Sequence, residues 1–501
     1  MITQGLHSLV QLSGWQETRL FKKALKNPVL TQQKQLQRIL NVHQNLPWSP
    51  LYKKSQVVNL NDFPLTSWAD YEHHLSLETR ANVSKSQVVR FEPTSGSTHA
   101  RKWIPYTPEF LIEINRAASV WMTDMYQQFP DIKKGPHYWS LSWLPHDLRS
   151  QMNNDDSELF PFWKRWLLSK IFLVPQALAK IKSEEAWRLA TQVFLLSSPG
   201  PAFVSVWSPT FMMALFQLSP SEESNLDQCF KQKKWIQFEN ELVDIPFPKT
   251  QFLSFEESFQ NLKKNLKLIS CWMSASSQSF SENLKDFFSM SQFQGKGLWA
   301  TEGVVTIPYG GRWPLALRSH YYEFLSLQSK KLVSLADLKR GDVVSPVLTT
   351  SSGLLRYELG DQLLVNDFLD KTPCFEFLGR SGTHDLVGEK LDSSIFYFLK
   401  LQLQKDFPQI SFFQFGYRKS KQVSYCLALP RTEFTEKVKN HLADLIEVAL
   451  QKYHHYRVAR QLQQLQAVQI ILLNDHENIY VQKTEILGQS KPSDLIDFSH
   501  L

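Results

Sequence analysis

The stretch Phe91-Glu92-Pro93-Thr94-Ser95-Gly96-Ser97-Thr98 packs four hydroxyls around one glycine, then runs through His99 and Ala100 into Arg101-Lys102. That is the composition of a phosphate cradle. The alternation Val88-Val89-Arg90-Phe91 before it reads as a strand. Thr107-Pro108-Glu109 after it reads as a helix start, with Thr107 as cap and Pro108 in the first turn. A hydroxyl loop leaving a strand sets side-chain and backbone donors where phosphate oxygens can dock. It is not the GxxxxGK[ST] nucleotide loop, because the spacing differs and only one glycine is present. On its own such a Ser/Thr/Gly run is also the composition of an ordinary loop, so its meaning depends on its company further along the chain.

Four more stretches come in order. Leu298-Trp299-Ala300-Thr301-Glu302-Gly303 is a short apolar run ending in a hydroxyl, a carboxylate and a glycine. Arg356-Tyr357-Glu358-Leu359-Gly360-Asp361 is a second turn, and Phe377-Leu378-Gly379-Arg380 precedes Val387-Gly388-Glu389-Lys390-Leu391. This collinear series resembles the adenylate-forming enzymes, most of all the branch of plant auxin-conjugating acyl acid amido synthetases and bacterial coenzyme F synthetase-like proteins. Val206-Trp207-Ser208-Pro209-Thr210-Phe211, Ser270-Cys271-Trp272, Ser319-His320-Tyr321-Tyr322-Glu323-Phe324 and His455-Tyr456-Arg457 look like the same branch. The resemblance runs over roughly residues 85 to 495.

Composition agrees with an enzyme of that size. A chain of 501 residues exceeds one ordinary domain, and 43% hydrophobic with 13% aromatic residues suffices for a large core, which excludes global disorder. Cys229, Cys271, Cys374 and Cys426 lie far apart without a CxxC pair. They suit a reducing compartment better than a disulfide scaffold or a zinc site. The net charge of +7 is spread among 48 acidic residues, and clusters such as Lys231, Lys233 and Lys234 read as solvated faces, so no nucleic-acid partner is expected. The first residues lack the basic and apolar segments of a secretory signal. Leu189 to Ser221 has no charged residue beyond Arg188, but Pro199, Gly200, Pro201 and Pro209 break it into pieces too short to span a bilayer. A soluble, cytoplasmic protein without a membrane partner is the expectation.

The expected fold class is α/β: a large adenylate-forming N-terminal domain of layered sheets and helices, plus a small mobile α+β C-terminal lid. Residues 1–85 are helical in pattern, as in Thr31 to Leu40, and are read as a segment packed on the large domain. Residues 86–381 form the ATP- and acyl-binding domain. Short strands Tyr138–Trp143, Phe203–Trp207, Leu266–Trp272 and Leu298–Ile307 alternate there with helices. Residues 382–501 form the lid, with helices Asp392–Asp406 and Phe434–Tyr453 and strands Phe412–Phe415, Val423–Leu429 and Val468–Leu473.

The resemblance supplies a chemical template: ATP and Mg²⁺ activate a carboxylic acid to acyl-AMP with loss of pyrophosphate, and an acceptor then takes the acyl group. The repulsion between a carboxylate and the α-phosphate is the first obstacle to such a reaction, so cations and oriented donors are required. Thr94, Ser95, Gly96, Ser97 and Thr98 correspond to the phosphate loop, with Arg101 and Lys102 as its cations. His99-Ala100 departs from the second glycine that many adenylate-formers carry. Glu302 matches the magnesium carboxylate and Thr301 the α-phosphate contact. Asp361 and Arg380 match ribose-side positions, and Trp139, Trp207 and Ser208 are acyl-pocket candidates. Lys491 in Gly488-Gln489-Ser490-Lys491-Pro492 resembles the mobile lysine of the family, with Lys483 as competitor. The acceptor is expected to be an amine or amino acid. A thiol such as coenzyme A, nucleotidyl transfer, and a catalytically dead binding relative remain alternatives. The doublets His73-His74 and His454-His455 lack carboxylate or cysteine company and are read as surface or packing residues.

Overall fold

The computed structural model describes residues 2–54, 59–75, 80, 87–94, 102–140, 162–237, 243–380, 383–384, 386–387, 389, 391–408, 410, 413–419, 423–430, 436–473 and 495–499. Three helices open the chain: α1 (Ile2–Ser13), α2 (Trp15–Lys26) and α3 (Pro28–His43), the last with Pro28 in its first turn. They pack on the body. Phe21, Ala24 and Leu25 of α2 share a core with Phe110, Ile114 and Ala117 of the long helix α4 (Pro108–Gln128). From α1, His7 is bonded to Tyr126 at 2.9 Å.

The strand before the hydroxyl loop is β1 (Arg90–Pro93), paired antiparallel with β2 (Trp103–Tyr106). Thr107 then caps α4, its hydroxyl accepting from Phe110 N at 3.1 Å. A parallel sheet comes next, with order β3 (His137–Trp139), β4 (Phe203–Ser205), β5 (Leu268–Cys271) and β6 (Gln292–Gly295). Every residue of β4 and β5 is buried. This is why they read as continuous apolar runs: helices such as Glu184–Leu195, Phe255–Asn265 and Gln278–Phe287 cover the sheet. Their core joins Trp187, Val193, Val204, Val206, Ile269 and Leu284.

The stretch Leu298–Ile307 differs from the single strand expected of it. It folds back as the hairpin β7 (Trp299–Ala300) and β8 (Gly303–Val304), with Thr301 and Glu302 at the tip. Apolar residues in both arms mimic one strand in sequence, and only the contact of Gly303 with neighbouring side chains marks the reversal. A Cβ at Gly303 would meet the His320 ring at 3.0 Å.

An antiparallel sheet then runs in the order β10 (Leu332–Val333), β9 (Tyr321–Ser326), β11 (Val343–Thr349), β13 (Asp361–Leu369), β14 (Thr372–Arg380), with β12 (Tyr357–Glu358) beside β11. Beyond it, helix Ser393–Asp406 precedes strands Gln414–Lys419 and Val423–Pro430. The helix expected over Phe434–Tyr453, described from Glu436, ends at Leu450, and a separate helix His454–Gln461 leads to strand Gln469–Leu473. These elements bury their own cluster, including Phe396, Phe415, Leu427, Leu442 and Tyr456. Phe280 of the preceding region packs against Cys426, Ala428 and Phe498. Among the described residues no helix is long and apolar enough to cross a membrane. The α/β fold class read from the sequence is borne out.

Candidate functional site

The tip of the β7–β8 hairpin carries Thr301 and Glu302 into the space between β2 and the β12–β13 turn. Tyr106 of β2 donates its hydroxyl to Thr301 O at 3.1 Å. Glu302 is 5% exposed, and burial raises its carboxyl above the usual range. Lys102 and Arg380 oppose that rise and Asp361 adds to it, so these four groups feel one another.

Lys102 enters from the start of β2 and donates its ammonium to Tyr357 Oη at 3.1 Å. Tyr357 of β12 also donates to Glu302, and its own phenol is pushed up first by burial and then by the Glu302 charge. A chain of cation, phenol and carboxylate results. In the sequence Tyr357 belongs to a motif without having a role of its own, since a tyrosine in a strand reads as core; it joins Lys102 to Glu302 only because β2 and β12 meet in space.

Asp361 opens β13, directly after Gly360, whose φ of +79° turns the chain there. The side chain is fully buried, yet among the described residues neither carboxylate oxygen accepts a hydrogen bond. Opposite it in register stands Arg380, with Nε 3.4 Å from Asp361 Oδ1 and a half-exposed side chain. A buried carboxylate left without donors is costly, and a ligand that supplies hydroxyl donors relieves that cost. Nearby Arg356 is different. Its guanidinium binds Glu323 through Nε and Nη2 at 3.0 and 2.8 Å and donates to Phe63 O at 2.5 Å, which ties the turn to β9 and to the N-terminal region.

Thr94 is held by its backbone N–H to Lys102 O at 2.9 Å, at the mouth of the hydroxyl loop. Ser95, Gly96, Ser97, Thr98, Arg101, Lys483 and Lys491 lie outside the described residues. The structure therefore brings together Lys102, Thr301, Glu302, Asp361 and Arg380 from separated stretches of chain.

A cavity of about 440 Å³ lies on the other side of β7, lined among others by Trp272, Gln294, Lys296, Trp299, Trp313 and Phe377. Lys296 is buried at 3% exposure, donates to Ser205 Oγ at 2.6 Å and sits over the rings of Trp121 and Trp207 at 4.9 and 4.7 Å. Trp121 in turn packs on Trp139 and Trp299, at 5.6 and 5.8 Å between centroids. Neither Trp139 nor Trp207 lines the cavity itself; Trp207 contacts Lys296, and Trp139 packs on Trp121. The Ser208 hydroxyl is buried against Thr210 Oγ1 at 2.6 Å. Sequence reasoning missed Lys296, and a lysine between two glycines offers no signal of burial.

The fold is that of the acyl acid amido synthetases. It superposes on AtGH3.15 acyl acid amido synthetase in complex with 2,4-DB with a TM-score of 0.78, covering 97% of this chain and 94% of that one at 16% identity. A second structure, GH3.15 acyl acid amido synthetase, gives 0.75 with 95% and 93% coverage, also at 16% identity. Residues 17–235 match the GH3 family N-terminal domain and residues 313–380 the GH3 family central domain, and the chain belongs to the GH3 family. Local stretches are similar to the probable indole-3-acetic acid-amido synthetase GH3.1 of Arabidopsis thaliana, 42% identical over 75 residues, 15% of this chain and 13% of that protein. The probable indole-3-acetic acid-amido synthetase GH3.11 of Oryza sativa subsp. japonica is 40% identical over 73 residues, 12% of each. The chain thus spans about an eighth of the length of the curated relatives it matches. The family expected from the order of the motifs is borne out.

Proposed function

We propose that this chain is an ATP-dependent ligase that joins a carboxylic acid to an amine, most specifically an amino acid, through an acyl-AMP. The observation that carries the reading is Asp361, a buried carboxylate with both oxygens open beside Arg380 and within the field of Glu302 and Lys102. A nucleotide ribose presents two adjacent hydroxyl donors, which match two acceptor oxygens. Lys102, next to the hydroxyl loop Thr94 to Thr98, faces the phosphates, and Thr301 stands at the α-phosphate. The names of the relatives, amido synthetases, support an amide product.

In the first half-reaction an acid carboxylate oxygen bonds to the α-phosphorus while the bond to the pyrophosphate oxygen breaks. In the second, an amine nitrogen bonds to the acyl carbon, AMP leaves with the C–O electron pair, and the nitrogen loses a proton. Glu302 fits Mg²⁺, since one buried carboxylate with oxygen-rich phosphates opposite is a usual magnesium arrangement, and a cation there offsets the burial of its charge. Bound there, the ion would neutralise phosphate charge. The acid is assigned to the cavity lined by Trp272, Trp299 and Lys296, with Trp207 in contact with Lys296 and Trp139 packed on Trp121. Residues 382–501 are assigned as a lid that brings Lys491, or Lys483, to the reacting groups on closure. The four free, buried cysteines fit a reducing cytoplasmic setting.

Acid-dependent exchange of labelled pyrophosphate into ATP tests the reading, over a panel that includes indole-3-acetic acid and 2,4-DB. Exchange with at least one acid is expected, then amide on addition of amino acids. Exchange that yields product only with coenzyme A would make the protein an acyl-CoA ligase, and nucleotide binding without exchange would make it a binding relative.

A further inference from the structure

The turn that carries Glu302 is gripped from behind by residues that do not line the nucleotide site. Val304 N donates to His320 Nε2 at 3.0 Å, so that nitrogen bears no proton and the ring proton lies on Nδ1. His320 Nδ1 then donates to Glu113 Oε2 at 2.7 Å. Glu113 is fully buried, and its charge is met by Arg38 Nη2 at 2.9 Å and by the Ser351 hydroxyl and N–H at 2.5 and 3.2 Å. Such a saturated carboxylate holds one tautomer of its histidine.

The ring is also fixed in place. Phe110 stacks on it at 5.4 Å, and Gly303 leaves room for it where a Cβ would stand 3.0 Å away. Gln32 of α3 donates to His320 O at 2.9 Å and accepts from Tyr322 N at 2.8 Å. Tyr322 donates to Val304 O at 2.6 Å, so the residue two beyond Glu302 is held at both its N–H and its carbonyl. On the other side of Glu302, Tyr106 holds Thr301 O.

We propose that His320 is a positioning residue that aims the Glu302 carboxylate at Mg·ATP through Val304, and that α3, through Arg38 and Gln32, is the outer support of this relay. The inference rests on the nucleotide-binding reading of the site and gives the N-terminal helices a task in it. The relay is built without solvent: Glu113, His320, Ser351 and Val304 are all buried. Unlike the Asp361 carboxylate, the Glu113 carboxylate has both its oxygens bonded before any ligand arrives, as a rigid support must.

Calorimetric binding of Mg·ATP to the full chain, without acid, tests it. His320→Phe keeps the ring volume and removes the acceptor for Val304 N–H, and His320→Gln restores an acceptor near the Nε2 position. The expectation is about tenfold weaker Mg·ATP binding for His320→Phe and at most about threefold for His320→Gln. In a Glu302→Gln background His320→Phe should cost less than about twofold more, since residues acting through one another do not add. Thermal midpoints should fall alike in both backgrounds. Unchanged binding in His320→Phe, or losses that multiply fully with those of Glu302→Gln, would overturn the positioning role alone. Absence of Mg·ATP binding in the unaltered protein would overturn the ligase reading and this inference with it. If His320→Phe does not fold, Arg38→Gln at the partly exposed end of the relay decides: about threefold weaker binding supports it, and no change overturns it.

Discussion

Glu113 and Arg356 on the one hand, and Asp361 and Glu302 on the other, are all buried ionisable groups, yet they are treated differently. Arg356 has a two-pronged carboxylate partner in Glu323, and Glu113 meets Arg38, His320 and Ser351. Among the described residues Asp361 accepts no hydrogen bond, and Glu302, although it accepts from Tyr357, is pushed by burial toward its neutral form. A buried charge that the fold satisfies holds the fold together; one that the fold leaves open is kept for something that arrives later. The contrast separates support from site.

Removing the charge of Glu302 or Asp361 should therefore cost function and not stability. Glu302→Gln keeps shape and loses the charge, so acid-dependent pyrophosphate exchange should drop about a hundredfold, partly restored by raised Mg²⁺. Equal exchange at limiting Mg²⁺ would place Glu302 with the supporting charges instead. Asp361→Ala should raise the KM for ATP about tenfold and leave that for the acid within about twofold, because under the proposed function the lost hydrogen bonds are those to ribose. The mutant should also cease to distinguish ATP from 2′-deoxy-ATP; a preserved preference would assign ribose to another group.

The smallest effect is on the fold itself. Because burial raises the Glu302 carboxyl, its contribution to stability is present at low pH and lost as pH rises through the raised value. Glu302→Gln removes that loss. The ligand-free variant should then melt about 1–2 °C higher than the unaltered protein near pH 8, a gap that closes toward pH 4.5, the ordinary value for the group. Lower stability of the variant at pH 8 would show that the fold does satisfy this charge.

Strands β3, β4 and β5, the Thr107 cap and helices such as those over residues 31–40 and Ser393–Asp406 were legible in sequence, since burial on both faces leaves apolar runs and caps need specific side chains. Glu302, Asp361, Arg380 and Lys102 stood out in sequence through their motifs, and the fold brings them near one another. The hairpin in Leu298–Ile307 was not legible, because both its arms are apolar, and the room Gly303 leaves for the His320 ring appears only in the packed structure.

Sequence alone determined the family and the α/β layering, both of which come from local pattern and motif order. Tertiary structure decided which charges are satisfied. Nothing near Asp361 in sequence says that its oxygens stay open, and nothing near Glu113 says that Arg38, His320 and Ser351 will reach it. Hydrogen bonding of a buried charge is settled by partners far away along the chain, so it exists only once the sheets and helices have packed.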